Sequence, residues 1–335
     1  MTNEKKKLIL CACLLFAVAM GSSRIFEASK LWFYGLTTWP SLWRPFPDWG
    51  SGAELYGALL PAKWNGTRNF WYGFAVIVVA WYAYLFKHGR VVAYFLIEGA
   101  LISMLDIFWL INGSLQGWVA AVASTAIGER IFWMLGAMIC GFYLWKYGGH
   151  QVGDELGVAV DASFSRHGAF VYWCYFVGLA LAGMKLFFAY RWWFDGINFW
   201  SVAFRPFPDW GVGADHFGAL LPAKWIGTRN LMYGLIIVYG VWLSYREKSH
   251  ELLGFLLLQG VFIEFFDGFW LANGKYNLQW EGPKTDFYMY GGFAWGPFLI
   301  TTGMYLITLR YRYRTSMGVE VDSSGQASAR RTPSK

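Results

Sequence analysis

Two long apolar runs of this 335-residue chain each hold a pair of carboxylic acids: Glu98 and Asp106 in one, Glu264 and Asp267 in the other. If those runs cross a membrane, each acid costs about 2.5–3.5 kcal/mol near the centre of its span on insertion scales, so chemistry is sought there first. Glu264 and Asp267 are three apart and share a helix face. Such a pair suits the sharing of a proton, as a general acid or a proton relay requires. Arg68 and Arg229 open the runs that precede the acids, at the membrane face where Asp106 and Asp267 end theirs. Pairing of Arg68 with Asp106 and of Arg229 with Asp267 is therefore expected. Each pair would hold two helices in register or frame a site for an anion or a polar head group.

These residues come in two sets because the chain contains one stretch twice. RPFPDWGSGAELYGALLPAKWNGTRN starts at Arg44 and RPFPDWGVGADHFGALLPAKWIGTRN at Arg205, an ungapped offset of 161 with 21 of 26 positions identical. A period of that length indicates a duplicated domain, not a solenoid of short units. Under the offset, Asp106 matches Asp267, and Arg68 matches Arg229. Glu98 faces Gln259, and Glu264 faces Ser103, so each half carries one acid that the other lacks. Scaffolding alone does not require that difference, which makes Glu98 and Glu264 the preferred functional candidates and Gln259 a ligand-binding candidate. The bland alternative is that each acid meets a hydroxyl, an amide or a water inside the bundle.

The elements that must position these groups follow from composition. Hydrophobic residues make up 56% of the chain and charged residues only 15%, against about 25% charged in soluble domains. With 21% aromatics, 21 of them Trp, this is the profile of a polytopic membrane protein with aromatic belts. The net charge of +7 is read as flanking basic residues that anchor and orient spans, not as a nucleic-acid surface. Eight apolar runs of about 20 residues match the hydrocarbon thickness. They are Leu8–Gly21, Phe70–Phe86, Val91–Ile111, Ile127–Tyr147, Ala169–Tyr190, Leu231–Tyr245, Leu252–Ala272 and Tyr288–Leu309. Arg24 and Lys185 end the first run of each half and are read as snorkelling to the interface. The third run is expected to stop at Asn112-Gly113.

The expected architecture is thus all-α, with eight transmembrane helices as two parallel four-helix repeats over residues 1–147 and 168–314. A polar linker at 148–167 and a disordered tail at 315–335 complete it. Four spans per half is an even number, so both halves enter with the same orientation about an axis along the membrane normal. The leading KKK, the turns KHGR and REKSH and the closing RYRYR put both termini in the cytosol. Ala17-Val18-Ala19 resembles a signal-peptidase site, but the same segment recurs internally at 169–190. Trp-rich stretches, about Glu27 to Gly66 and their copy, would lie on the outer membrane surface. Pro40, Pro45 and Pro47 break the first of them, and Ser51 with Glu54 has capping-box spacing for a short helix through Ala62.

Other groups carry weaker signals. Cys11, Cys13, Cys140 and Cys174 sit in apolar runs without a CxxC pair, so neither a disulfide framework nor a zinc site is expected. Asp215-His216 reads as a surface or cap feature, Asp48 and Asp209 as turn residues, and Lys63 and Lys224 as contacts to lipid head groups. No nucleophile–base set, phosphate loop or Rossmann fingerprint is present, and no cofactor or metal is expected.

The stretch GTRNFWYGFAVIVVAW…KHGRVVAYFLIEGALISMLDIFWLING resembles small four-span integral membrane proteins of the DoxX-like type. The shared features are a Gly-x-Arg-(Asp/Asn) opening, a tight turn with Gly, and an acid late in the next helix. Here they fall on Gly66, Arg68, Asn69, Gly89 and Asp106, then on Gly227, Arg229, Asn230 and Asp267. The REKSH turn lacks the Gly, and the RPFPDWG block lies outside the pattern. The resemblance implies a four-helix unit and no particular activity. The expected function is binding or processing of a lipophilic small molecule in contact with membrane lipids, by acid–base isomerisation or cyclisation if the protein is an enzyme. A proton-coupled secondary transporter and a structural or assembly factor are the alternatives, and the oligomeric state is open.

Overall fold

Runs this apolar satisfy their backbone polar groups internally, and in a membrane only helices or closed barrels do so. The computed structural model describes residues 3–33, 59–86, 89–115, 124–148, 153–195, 220–247, 250–278, 285–316, 319–321 and 327–329. Among these residues eight helices form: α1 (Asn3–Phe33), α2 (Leu59–Phe86), α3 (Gly89–Leu115), α4 (Ser124–Tyr147), α5 (Gly153–Phe194), α6 (Leu220–Glu247), α7 (Glu251–Leu278) and α8 (Thr285–Ser316). All but α2 are long and apolar enough to cross a membrane by length and composition. Two three-residue strands, β1 (Val319–Val321) and β2 (Ala327–Ala329), pair antiparallel within the tail read as disordered.

Several boundaries differ from expectation. The aromatic stretch from Glu27 to Gly66 is helical at both ends, because α1 runs to Phe33 and α2 starts at Leu59. Proline does not prevent this start. Pro61 and Pro222 sit in the first turn of α2 and α6, where the N–H that proline lacks has no intrahelical partner anyway. Helix α3 passes through Asn112-Gly113 to Leu115, and α5 begins at Gly153, inside the stretch read as a linker. The capping-box positions 51 and 54, together with Asp48, Asp209, Asp215 and His216, lie outside the described residues.

The most extensive contacts pair α1 with α2, α3 with α4, α5 with α6 and α7 with α8. Across the halves, α2 packs on α7 and α3 on α6, each more extensively than α2 on α3 or α6 on α7. The apolar windows of α3, α6 and α7 are 61%, 67% and 61% buried, but those of α1, α4 and α8 only 28%, 22% and 33%. The central helices are therefore α2, α3, α6 and α7, with the others outside them.

The outer surface is greasy and the inside is charged. Leu15, Phe132, Ile139, Phe176 and Phe194 face outward, while Arg24, Glu27, Arg68, Glu98, Asp106, Arg130, Lys185, Arg229 and Glu264 are buried. That inversion is what a lipid solvent selects.

Candidate functional site

Helix α2 brings Arg68 into the centre and α6 brings Arg229. The tight GTRN turn of helix makes this possible. A Cβ on Gly66 would lie 2.7 Å from the Trp32 ring, and one on Gly227 would collide with Trp193. Trp32 Nε1 donates to the Lys63 carbonyl at 3.2 Å, and Trp193 Nε1 to that of Lys224 at 3.1 Å. Each glycine thus lets a first-helix indole seal the start of the next helix.

The two arginines pair with acids of the opposite half, which corrects the expected Arg68–Asp106 and Arg229–Asp267 pairs. Arg68 Nη1 and Nη2 donate to Asp267 Oδ1 and Oδ2 at 3.0 and 2.7 Å. Arg229 Nη1 and Nη2 donate to Asp106 Oδ1 and Oδ2 at 2.7 and 2.8 Å. Both pairs are fork-to-fork, the strongest geometry for these groups. The exchange follows from packing: α2 lies against α7, and α6 against α3, so the nearest late-helix acid belongs to the other half.

Asparagine completes each clamp. Arg68 Nε donates to Asn230 Oδ1 and Arg229 Nε to Asn69 Oδ1, both at 2.9 Å. Nη1 of each arginine also donates to a carbonyl one turn back, on Trp64 and Trp225 at 3.0 and 3.1 Å. Around this crossing, Trp109 Nε1 donates to Thr228 Oγ1 and Trp270 Nε1 to Thr67 Oγ1, both at 3.1 Å. The threonine hydroxyls in turn donate to the carbonyls of Lys63 and Lys224 at 3.1 Å. Every one of these bonds occurs twice: the arginine–aspartate, arginine–asparagine and tryptophan–threonine bonds cross between the halves, and the bonds to carbonyls stay within one helix. Arg68 and Arg229 are therefore occupied by protein groups on most of their N–H bonds, which leaves little of either for an external anion at the clamp itself.

The acids flanking the clamps differ. Arg24 and Lys185 turn inward, only 2% and 1% exposed, and do not snorkel as expected. Lys185 Nζ forms an ion pair with Glu264. Arg24 occupies the matching place but meets Ser103, to which its Nη2 donates at 2.8 Å, and finds its acid in Glu27 at 3.1 Å. Arg130 on α4 also binds Glu27, at 3.1 Å, and lies 3.9 Å from Asp106. Glu264 and Asp267, expected to share a proton, are thus taken up by different cations, Lys185 and Arg68. Glu27 and Arg130 were not singled out from the sequence. The signal available was the i,i+3 spacing of Arg24 and Glu27, and an unpaired arginine inside the fourth apolar run.

Between the halves lies a cavity of about 20 Å³, room for about one water molecule. Its walls come in matched pairs: Arg68 and Arg229, Tyr72 and Tyr233, Glu98 and Gln259. Tyr72 and Tyr233 donate their hydroxyls to the carbonyls of Phe95 and Leu256. Glu98 and Gln259 are the chemical difference within these pairs. Glu98 Oε2, Gln259 Oε1 and Asn230 Nδ2 are buried and have no hydrogen-bond partner among the described residues. Glu27, Asp106, Glu264 and Asp267 each meet a cation, whereas Glu98 meets none among the described residues.

No group of three or more metal-ligating side chains occurs among the described residues. No protein-family model, curated protein or solved structure matches the chain.

Proposed function

We propose that the chain is an eight-span integral membrane protein of two parallel four-helix repeats, with both termini in the cytosol. In this reading it is a secondary transporter that moves a small solute together with a proton carried by Glu98. Helix α2 counts as the eighth span because it has the same 28-residue length as α6 and its opening sequence. Four spans per half keep the two copies parallel, and a solute site at the interface of repeats is the usual arrangement in such carriers.

The observation that carries the proposal is the state of Glu98. Its carboxyl faces a cavity between the halves with an oxygen that no group among the described residues satisfies, and an intramembrane acid of that kind is a functional site by default. Glu27, Asp106, Glu264 and Asp267 are held by cations and serve the packing. The alternative expected from the sequence, acid–base processing of a lipophilic molecule, calls for a chamber of about 300 Å³ or more, larger than this cavity among the described residues. A structural or assembly role leaves the orphaned carboxyl without purpose.

The test is proton uptake into liposomes containing the purified protein, driven by gradients of small solutes, charged and neutral. Glu98→Gln is expected to abolish coupled uptake while the protein stays folded by size-exclusion and thermal unfolding. Uptake by the variant at the wild-type rate would overturn the role of Glu98.

A further inference from the structure

The cavity and its surroundings also point to what the solute is. This step rests on the transporter reading above. Among the described residues the helices bury the cations Arg24, Arg68, Arg130, Lys185 and Arg229. Glu27, Asp106, Glu264 and Asp267 pair with them. Glu98 is the acid that lines the cavity. When ionised it repels an anion in that space, and when protonated it does not. Protonation of Glu98 therefore opens the same space to an anion.

The cavity supplies donors for one. Asn230 is 2% exposed and points an unpartnered Nδ2 donor at the cavity, since its Oδ1 is spent on Arg68. Gln259, 5% exposed, has an amide with no partner for its oxygen, and that amide can turn its NH₂ inward. Arg68 and Arg229 border the same space, and after their four bonds each keeps one Nη2 N–H. Size then narrows the class. A cavity of about 20 Å³ takes an ion near the size of one water, such as a halide, and excludes phosphate or a carboxylate.

We propose that the transported solute is a small monovalent anion, bound between Asn230 and Gln259 when Glu98 carries a proton, and released when that proton leaves. The step balances: one proton binds Glu98 Oε2, one anion enters, and both leave on the other side, so no net charge crosses. No bond to carbon forms or breaks.

The experiment uses the full chain in liposomes of neutral lipid with a trapped pH dye. Inward gradients of chloride and of bromide, replaced outside by gluconate in the control, are compared with gradients of urea and glycerol. A chloride or bromide gradient is expected to acidify the lumen at least tenfold faster than a neutral one, with no dependence on a potassium–valinomycin voltage clamp. In detergent, chloride is expected to raise the Tm of the wild type under acidic but not alkaline conditions. Glu98→Gln, which removes the repelling carboxylate at every pH, is expected to show that rise at either pH and to lose coupled uptake. Acidification driven by urea or glycerol, and not by either anion, would sink the anion and leave proton coupling intact. A chloride-induced Tm rise in the wild type that ignores pH would sink the linkage to Glu98. No acidification with any solute would overturn the transporter reading itself.

Discussion

The two clusters that flank the crossed clamps solve one electrostatic problem differently. Both halves carry a buried cation at the same place on the first helix, Arg24 and Lys185. In the second half the neutralising acid is Glu264 on α7. In the first, Ser103 stands at that position, and the acid has moved to Glu27, one turn along α1, where it also takes Arg130 from α4. The counterpart of Glu27 is Phe188 at the offset of 161, and that of Arg130 is Gly292, because the fourth helices align after one extra residue (Trp133 with Trp295), so the second half has neither partner. The comparison teaches that the cation's need for a carboxylate is invariant, whereas the helix supplying it is free to change. The clamps themselves cannot drift in this way, because a forked guanidinium fixes its carboxylate in both distance and plane.

The largest effect is expected at the clamps and should be unequal. Asp106 is fully buried and lies near a second cation, Arg130, while the Asp267 side chain is 14% exposed. Removing one partner of a buried pair costs about 3–5 kcal/mol, so Asp106→Asn is expected to lose that much in denaturant unfolding in micelles. Asp267→Asn is expected to lose less, because water reaches its site. Equal losses would erase the distinction between the halves.

A charge exchange tests which residues pair. Arg68→Asp is expected to be severely destabilising alone and to be rescued by Asp267→Arg, with a coupling of up to about 3 kcal/mol. The same change combined with Asp106→Arg is expected to show no rescue. Rescue by Asp106→Arg instead would break the cross-half arrangement.

The movable acid gives the next effect. Glu27→Gln strips Arg24 and Arg130 of their carboxylate and is expected to cost about 1–3 kcal/mol or somewhat more, as for unsatisfied buried groups. Adding Ser103→Glu reproduces the second half's solution beside Arg24 and is expected to restore at least about 1 kcal/mol of that loss. A double variant no more stable than Glu27→Gln would mean that the two halves are not interchangeable.

The smallest effect concerns what the halves share. Trp109→Phe and Trp270→Phe each delete one indole N–H bond to a threonine across the halves. Each is expected to cost about 0.5–1.5 kcal/mol, and the two costs should agree within the error of thermal unfolding. A clear disparity would show that the two crossings are not equivalent.

Much of this was legible before any coordinates. The duplication, the helical class, seven of the apolar helices and the pairing of an arginine with a late-helix aspartate can be read from periodicity, composition and the 161-residue offset. The partner of each arginine was not legible. An offset says which residues are alike, and Asp106 and Asp267 are alike, so it cannot distinguish pairing within a copy from pairing between copies. The same limit hid the partner of Glu264, which is Lys185, and the acid beside Arg24, which is Glu27.

The amino-acid sequence alone determined that this chain buries charges among apolar helices and carries two copies of one pattern, because hydropathy and repetition are local properties of the string. Only the tertiary structure decided that the copies clasp each other, α2 on α7 and α6 on α3. That choice depends on which helix faces lie close enough for a guanidinium fork to meet a carboxylate, a distance no alignment of the chain with itself contains. It also set Glu98 apart from Glu264, since Glu264 stands beside Lys185 and Glu98 meets no cation among the described residues.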